Sequence, residues 1–384
     1  MNKWQRYGLL ACVSVTAACA QLGANERAAP RPAAQEQKVQ ETIQVTRKTI
    51  APRLYELAFS ARQQAVFVAS AGGADPVNEP SRILRLNPTD LSVSAEIPLE
   101  RGGFGVALDD AANRLYVGNA LTASVTVVDT AQNRVLGLVQ LAKPIRYDGG
   151  KAIYPHLLRE LVVDQKRQRL YVPGLSAQGS VLYVVDTAGL KLDRVISGLG
   201  AGAAGIALDK EGDRLYVSNL QGQVFGIDTK TLTIKTQWEV KADQLLNLAY
   251  DHKRRRLLAS DLGSERMDTL RKEKAGLTDY EKRGTGHRMV AIDARNGALL
   301  ASVPTGRAPI APMLDEGRDR VYVSNRDSGT VSVLDAQDYT LLATVPLTPH
   351  PNSLALDAAS GNVYVSIKEE SRTAREGVAR LAPR

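Results

Sequence analysis

The sequence predicts an all-β fold, a seven-bladed β-propeller of four-stranded blades whose ring is closed by an N-terminal strand. Two observations favour this fold. Short apolar segments recur along the chain in groups, with polar turns between them, and an Asp ends the first segment of six groups. Between Asp209 and Asp251 the spacing is about 42 residues, which is typical of one propeller blade.

The clearest group lies in residues 205–229. It reads GIALD at 205–209, RLYVSN at 214–219 and VFGID at 224–228, followed by TLTIKT at 231–236. These segments predict four strands, running from the axis of the ring outwards. Both alternating sets of side chains are largely apolar, as expected when both faces of a blade pack against neighbouring blades.

Seven such groups are present from about residue 54 onwards, and they predict a complete ring. The repeated acidic residues are Asp109, Asp164, Asp209, Asp251, Asp315 and Asp357. They come where strands end, and their carboxylates can accept backbone N–H bonds in the following turn, so we interpret them as structural.

The seventh group ends near Leu381 and has no outer strand of its own. The segment from Ile43 to Lys48 reads as an isolated strand and could fill that place. Closure in this way would protect a sheet edge that an open ring exposes.

Residues 1–20 have the pattern of a signal peptide. Lys3 and Arg6 precede an apolar run, residues 8–18, that is too short to span a bilayer. Two cleavages compete: Ala18-Cys19-Ala20 fits cleavage after Ala20, whereas TAAC at 16–19 resembles a lipobox that would make Cys19 the acylated first residue. Both predict export to the periplasm, and the second predicts a lipid anchor in the outer membrane.

Residues 21–42 are rich in Ala, Pro, Gln and Glu and predict a flexible linker, which leaves residues 43–384 for the propeller. Both cysteines lie in the signal segment, so neither cleavage leaves a disulfide in the folded domain. The formal net charge of +8 is a mild basic bias, which permits but does not indicate attraction to polyanions.

The recurring LYVSN segment is similar to the YVTN β-propeller repeat. HPNSLAL at 350–356, RELV at 159–162 and the Phe104-Gly105 pair resemble the YncE group of bacterial periplasmic seven-bladed propellers. The resemblance covers about residues 50–382. It implies an exported, non-enzymatic binding propeller, for which DNA binding has been proposed, although the repeat itself is informative for fold and poor for function.

The long connections predict which end of the ring carries function. They are residues 71–80, 141–154, 262–286 and 369–376. Each joins the second and third strands of a blade, or the outer strand of one blade to the inner strand of the next, so all four emerge at the same end. We call this end the insertion face, and because binding residues favour loops on a rigid scaffold, it is the candidate site.

On the insertion face we expect these ligand-binding residues: Phe104, Lys143, Arg146, Lys151, Tyr154, His156, Arg159, Trp238, Asn247, His350 and Asn352. Residues 141–154 and 262–286 interleave basic and aromatic residues, as single-stranded nucleic acid requires. Cations follow the phosphates, and rings stack on bases for about 1–3 kcal/mol each. Residues 262–286 also hold five acidic residues and read equally as a solvated helix. An envelope protein is the alternative partner, and a monomer is expected.

No cofactor and no metal site is expected. His156, His287 and His350 come from three different groups and could bind a metal only if their nitrogens converge. The mature chain has no GxSxG, HExxH, phosphate loop or Cys nucleophile, and no catalytic residue is predicted. The alternative is a lyase, a lactonase-like or a quinone-dependent propeller enzyme, with acidic and His side chains at one mouth of the central channel.

Overall fold

The computed structural model describes residues 42–383 except residues 76, 147–151 and 372. The predicted signal peptide, including Cys19, and the predicted linker up to residue 41 lie outside the described residues. The described chain forms seven antiparallel sheets of four strand positions each. In the third sheet the innermost position is shared by two short strands.

The first four blades are preceded by one strand, β1 (Ile43–Pro52). The strands of these blades are β2 (Leu54–Ser60), β3 (Ala65–Ser70), β4 (Arg82–Leu86) and β5 (Val93–Pro98); β6 (Gly103–Asp109), β7 (Arg114–Asn119), β8 (Ser124–Asp129) and β9 (Arg134–Gln140); β10 (Leu157–Leu158), β11 (Val162–Asp164), β12 (Arg169–Leu175), β13 (Val181–Asp186) and β14 (Lys191–Ser197); and β15 (Gly205–Asp209), β16 (Arg214–Ser218), β17 (Gln223–Asp228) and β18 (Thr233–Glu239).

The fifth blade contains the one helix of the described residues, α1, between its second and third strands. The remaining elements are β19 (Leu245–Asp251), β20 (Arg256–Asp261), α1 (Glu265–Ala275), β21 (Arg288–Asp293) and β22 (Leu299–Pro304); β23 (Pro309–Asp315), β24 (Arg320–Asn325), β25 (Thr330–Asp335) and β26 (Leu341–Pro346); and β27 (His350–Leu356), β28 (Val363–Lys368) and β29 (Arg375–Pro383).

The innermost strands form a closed ring, because β2 contacts both β6 of the second blade and β27 of the seventh. The outer strand of the seventh blade is β1, which pairs antiparallel with β29 from Ile43–Pro383 to Pro52–Arg375. The predicted ring closure by an N-terminal strand is therefore confirmed. The closing strand extends four residues beyond the predicted Lys48.

Hydrophobic side chains fill the spaces between neighbouring blades. In one such cluster Tyr171 and Leu182 of the third blade pack with Leu215 and Phe225 of the fourth. The Tyr of the recurring Tyr-Val pair is fully buried in four blades, at positions 116, 171, 322 and 364. This explains why the repeats read as apolar on both faces.

The repeated Asp residues stabilise turns, as predicted. The Oδ1 atom of Asp109 accepts the Ala112 N–H at 3.1 Å, and Oδ1 of Asp209 accepts the Gly212 N–H at 2.9 Å. These carboxylates accept hydrogen bonds from the backbone of their own turns. They also lie at the end of the ring opposite the insertion face.

Five innermost strands carry one extra residue near their start. In β2, Leu54 pairs with Ser70 and Leu57 with Val68, so that Tyr55 and Glu56 face the single residue between them. The same register shift occurs in β6, β19, β23 and β27. Such β-bulges redirect side chains out of the regular alternation.

The third blade departs further from the prediction. Its innermost segment is not one continuous strand, because pairing stops after Leu158–Gly174 and resumes at Val162–Tyr171. Three residues, 159–161, thus lie opposite two, and one of those two is Pro173, which has no N–H to offer a ladder. Arg159 and Glu160 therefore lie in an irregular segment.

The four long connections leave the ring at the same end. They follow β3, β9, β20 and β28, and in an antiparallel blade the ends of these strands lie beside the starts of the innermost strands. Among the described residues, no helix is long and apolar enough to cross a membrane.

Candidate functional site

Seven equivalent positions surround the channel at the level of the bulges. Each lies four residues before the Asp that ends the innermost segment, or before Ser60 in the first blade. The seven residues are Glu56, Gly105, Glu160, Gly205, Asn247, Ala311 and Ser353. A cavity of about 230 Å³ lies on the axis here, since its wall includes residues from the innermost segment of every blade.

Glu56 reaches across the boundary between the first and second blades. Its Oε2 atom accepts the backbone N–H of Val106 at 3.0 Å. Val106 follows Gly105, whose missing side chain leaves room for the Arg159 carbonyl of the third blade. The backbone of one blade therefore fixes a carboxylate supplied by its neighbour.

Glu160 repeats this arrangement two blades further on. Its Oε2 accepts the Ile206 N–H at 3.1 Å, directly after Gly205, and its Oε1 accepts the side-chain amide of Asn247. The Oδ1 atom of Asn247 in turn accepts Nη2 of Arg159 at 3.3 Å. The two glutamates, Arg159 and Asn247 thus form one cluster at the insertion-face end of the channel.

Both carboxyl groups are shifted towards the protonated form. Burial raises the pKa of Glu56 to about 7, while the Arg159 charge acts in the opposite direction. Burial also raises the pKa of Glu160 well above its usual value, and the Glu56 charge adds to this effect. Carboxyl groups perturbed by burial and by a like charge are characteristic of functional sites.

A row of cations and rings lies around the channel mouth beside this cluster. The Lys368 Nζ atom is 3.9 Å from the centre of the Tyr55 ring, whose centre is 4.1 Å from that of Phe104. At the other end of the row, the Arg159 guanidinium lies over the Phe104 ring, 5.6 Å from its centre. The row therefore links the seventh, first, second and third blades.

Lys368 is the fixed end of this row. Its Nζ donates to the Leu54 carbonyl at 2.6 Å and to Glu376 at 2.8 Å. Burial lowers its pKa, an effect that the Glu376 charge opposes and that the nearby Arg326 and Arg53 add to. The guanidinium groups of Arg53 and Arg326 form no hydrogen bond or ion pair with a described residue.

The close packing at Gly105 gives a first testable prediction. A Cβ atom there would lie 1.7 Å from the Arg159 carbonyl oxygen. Gly105→Ala is therefore expected to displace the 159–161 segment and to lower the free energy of unfolding by about 1–3 kcal/mol in urea titrations. Gly137→Ala is the control, because its Cβ would meet nothing nearer than a Leu190 methyl at 3.9 Å. Equal unfolding curves for the two variants would contradict the prediction.

The 141–154 connection contributes exposed cations to the insertion face. Lys143 and Arg146 are exposed and form no ion pair with a described residue. Ile145 and Ile153 pair backbone to backbone, with N–O distances of 2.7 and 3.0 Å, and Tyr154 is half-buried beside them. Lys151 lies outside the described residues.

Three of the six basic residues of the 262–286 insertion are neutralised by acidic residues of the insertion or of the preceding segment, residues 239–243. Arg271 is buried and donates to Asp243 at 2.6 Å and to Asp268, and its guanidinium lies 4.3 Å from the Tyr280 ring centre. Lys282 pairs with Asp268 and Arg283 with Glu239. The helix predicted as the alternative for residues 262–286 is present as α1, and the ion pairs of Arg271 with Asp243 and Asp268 stabilise it.

The histidines do not converge. The His156 Nδ1 atom is 2.6 Å from the Tyr183 hydroxyl, Nδ1 of His287 accepts the Ala308 N–H at 3.2 Å, and Nδ1 of His350 is 3.1 Å from the Arg326 carbonyl. Within residues 42–383, apart from the omitted positions, no group of three His, Cys, Asp or Glu side chains could hold a metal.

The structure brings together only part of the predicted set. Phe104, Arg159 and Asn247 meet at the channel mouth, and His350 and Asn352 lie at the start of β27 on the same end. Trp238 lies apart from them, near the end of β18, the outer strand of the fourth blade, where it stacks on Tyr216. As an outer-strand residue it lies away from the innermost strands.

The sequence analysis missed Tyr55, Glu56, Glu160 and Lys368. A signal for the glutamates was present, because the position four residues before each Asp is Gly, Ala or Ser in four groups. It is Glu, Glu and Asn in the other three. An alignment of the seven groups on that position would have selected Glu56, Glu160 and Asn247.

The chain is similar to known proteins in both sequence and structure, although no family model matches it. The uncharacterized protein YncE of Escherichia coli strain K12 is 30% identical over 264 residues, which cover 68% of this chain and 67% of that protein. The protein of the same name from Salmonella typhimurium is 29% identical over 288 residues, 75% of either chain. A solved chain of Kuenenia stuttgartiensis hydrazine synthase aligns with a TM-score of 0.65 over 83% of this chain and 93% of its own. At 15% identity this shows a shared fold alone. From the identity and coverage of these relatives, the chain belongs to the YncE family of seven-bladed propellers.

Proposed function

We propose that the protein is an exported, non-enzymatic binding propeller that recognises single-stranded nucleic acid or a similar polyanion through its insertion face. Recognition would use a preformed rigid surface and no covalent step. The blades fix the innermost strands, and these strands fix the side chains around the channel mouth.

The observation that carries the proposal is the row of Lys368, Tyr55, Phe104 and Arg159 around the mouth. Two neighbouring rings flanked by cations suit a ligand that offers both phosphates and flat bases. The guanidinium groups of Arg53 and Arg326, which pair with no described residue, add positive charge beside Lys368.

The charge pattern also limits where a polyanion would lie. The 262–286 insertion holds six basic and five acidic residues, and Arg271, Lys282 and Arg283 are paired with acidic ones, so it offers little net positive charge. Lys143 and Arg146 are exposed and form no ion pair with a described residue. We therefore expect the polyanion to run from the channel mouth towards residues 143–146.

Fluorescence anisotropy with a labelled single-stranded oligonucleotide tests this function. The double variant Lys143→Ala, Arg146→Ala is expected to weaken binding several-fold. It should also reduce the slope of log K against log salt by about 1.4, since each lost phosphate contact accounts for about 0.7. The matched control is Lys191→Ala, Lys210→Ala, which removes two exposed lysines at the opposite end of the ring.

An affinity that is indifferent to salt and to the first double variant would contradict the proposal. In that case the envelope-protein alternative becomes the better one, and a partner that co-purifies with the chain from its host would support it.

A further inference from the structure

The axial cavity contains more negative than positive charge. Among the described residues, its wall includes two carboxyl groups, Glu56 and Glu160, and no cationic side chain. Arg159 is adjacent, but its guanidinium is directed to Asn247 and over the Phe104 ring. Arg159 is thus one cation beside two partly desolvated carboxyl groups, an arrangement that favours binding of a further positive charge.

The two carboxylates differ in what they can still bind. Both oxygens of Glu160 are occupied, one by the Ile206 N–H and the other by the Asn247 amide. Glu56 uses only Oε2, on the Val106 N–H, and its Oε1 has no partner among the described residues. Glu56 is therefore an oriented acceptor with one oxygen free inside the cavity.

The rest of the wall is mostly apolar. Leu57, Val106 and Ile206 line one part and Leu248 and Leu354 another, with the Ser353 hydroxyl as a further polar group. A volume of about 230 Å³ is just below the usual range of about 300–1,000 Å³ for small-molecule pockets, so the occupant must be small. Hard cations need several oxygen ligands, which one free carboxylate oxygen and one hydroxyl do not supply.

We propose that the axial cavity binds a small organic ligand through a primary ammonium group, which donates to the free oxygen of Glu56 while its alkyl part packs against the aliphatic wall. The ammonium provides a second positive charge beside the two carboxyl groups, in addition to that of Arg159. This site lies beside the polyanion surface, with Arg159 adjacent to both, but the proposal does not depend on polyanion binding.

Proton linkage follows from the state of Glu56. Its pKa is raised to about 7, so a proton competes with the ammonium near neutral pH. The charged groups that face it are Glu160 and Arg159, both in the segment between β10 and β11. Affinity for an ammonium group should therefore rise with pH, by about tenfold between pH 6 and pH 8 for a single group of this pKa.

Methionine-methyl NMR gives a local readout. Of the chain's four methionines, Met313 lines the cavity, whereas Met267 lies in α1 and Met289 is buried in β21. In protein labelled at the methionine methyl carbons, titration with methylammonium chloride at pH 8 is expected to shift Met313 saturably. The signals of Met267 and Met289 should stay in place.

The key variant is Glu56→Gln. Its amide oxygen can still accept the Val106 N–H, so the fold should be retained, which urea unfolding checks. The Met313 shift is expected to be lost in this variant and kept in Glu100→Gln, a control at an exposed carboxylate whose side chain is 82% accessible.

Three outcomes would overturn the proposal. The first is no Met313 shift with methylammonium at any pH between 6 and 8. The second is an equal shift with sodium chloride or tetramethylammonium chloride, neither of which offers an N–H donor. The third is an unchanged affinity in folded Glu56→Gln.

Discussion

A chain that lacks residues 40–50 is expected to lose more than about 5 kcal/mol of stability, which is comparable to the whole stability of an ordinary domain. The deletion removes most of β1, including Ile50, which is buried, and it leaves β29 as an open edge. Burial of one such side chain contributes about 1.5–3 kcal/mol, and each lost ladder bond adds about 0.5–1.5 kcal/mol. Thermal unfolding and size-exclusion chromatography of the truncated chain should show a low melting temperature and self-association.

The control for this truncation is Lys48→Ala, an exposed position on the same strand, which should change stability by less than about 0.5 kcal/mol. A synthetic peptide of residues 42–53 added to the truncated chain should restore part of the melting temperature, because it can occupy the vacant edge. An unchanged melting temperature on truncation would show that β1 does not hold the ring closed.

Arg271→Ala is expected to have the second largest effect, about 3–5 kcal/mol, because removal of one partner leaves a buried charge uncompensated. Arg271 is 5% exposed and Asp243 is 3% exposed, and they are joined at 2.6 Å. The same guanidinium also contacts Asp268 and the Leu220 carbonyl. Urea unfolding should shift to lower concentration, and limited proteolysis should cut residues 262–286 sooner.

Arg266→Ala provides the matched control, since Arg266 is an exposed residue of the same helix without an ion pair to a described residue. It should alter neither the unfolding midpoint nor the proteolysis rate. Equal behaviour of the two variants would mean that the Arg271 cluster is not what orders the insertion.

The fold could be predicted from the sequence because it depends on many weak, repeated signals that agree. Tyr116 and its equivalents fill the same place in successive blades, and the turn after Asp209 recurs at Asp109. Even the unusual closure was predictable, since a missing strand at one end of the chain matched a spare strand at the other.

The site was only partly predictable because it depends on departures from the repeat. Glu56 lies in the β-bulge of β2, and Arg159 lies where the pairing between β10 and β11 is interrupted. At such positions the alternation of apolar and polar residues does not show which way a side chain points. Two partners of Arg271, Asp243 and the Leu220 carbonyl, lie in other segments, so its burial was not evident from residues 262–286 alone. Trp238 lies apart from the channel mouth for another reason, because it belongs to an outer strand.

The junction between β1 and β2 has a thermodynamic consequence. Only Arg53 separates the end of the closing strand at Pro52 from Leu54, and Glu56 follows two residues later. The strand that closes the ring, β1, and the Glu56 carboxylate therefore lie on one short stretch of backbone. A ligand that binds the cavity only while the ring is closed would stabilise the closed ring, by about 2.7 kcal/mol at a ligand concentration a hundred times its dissociation constant. The free energy needed to open the ring would then increase with the occupancy of the axial cavity.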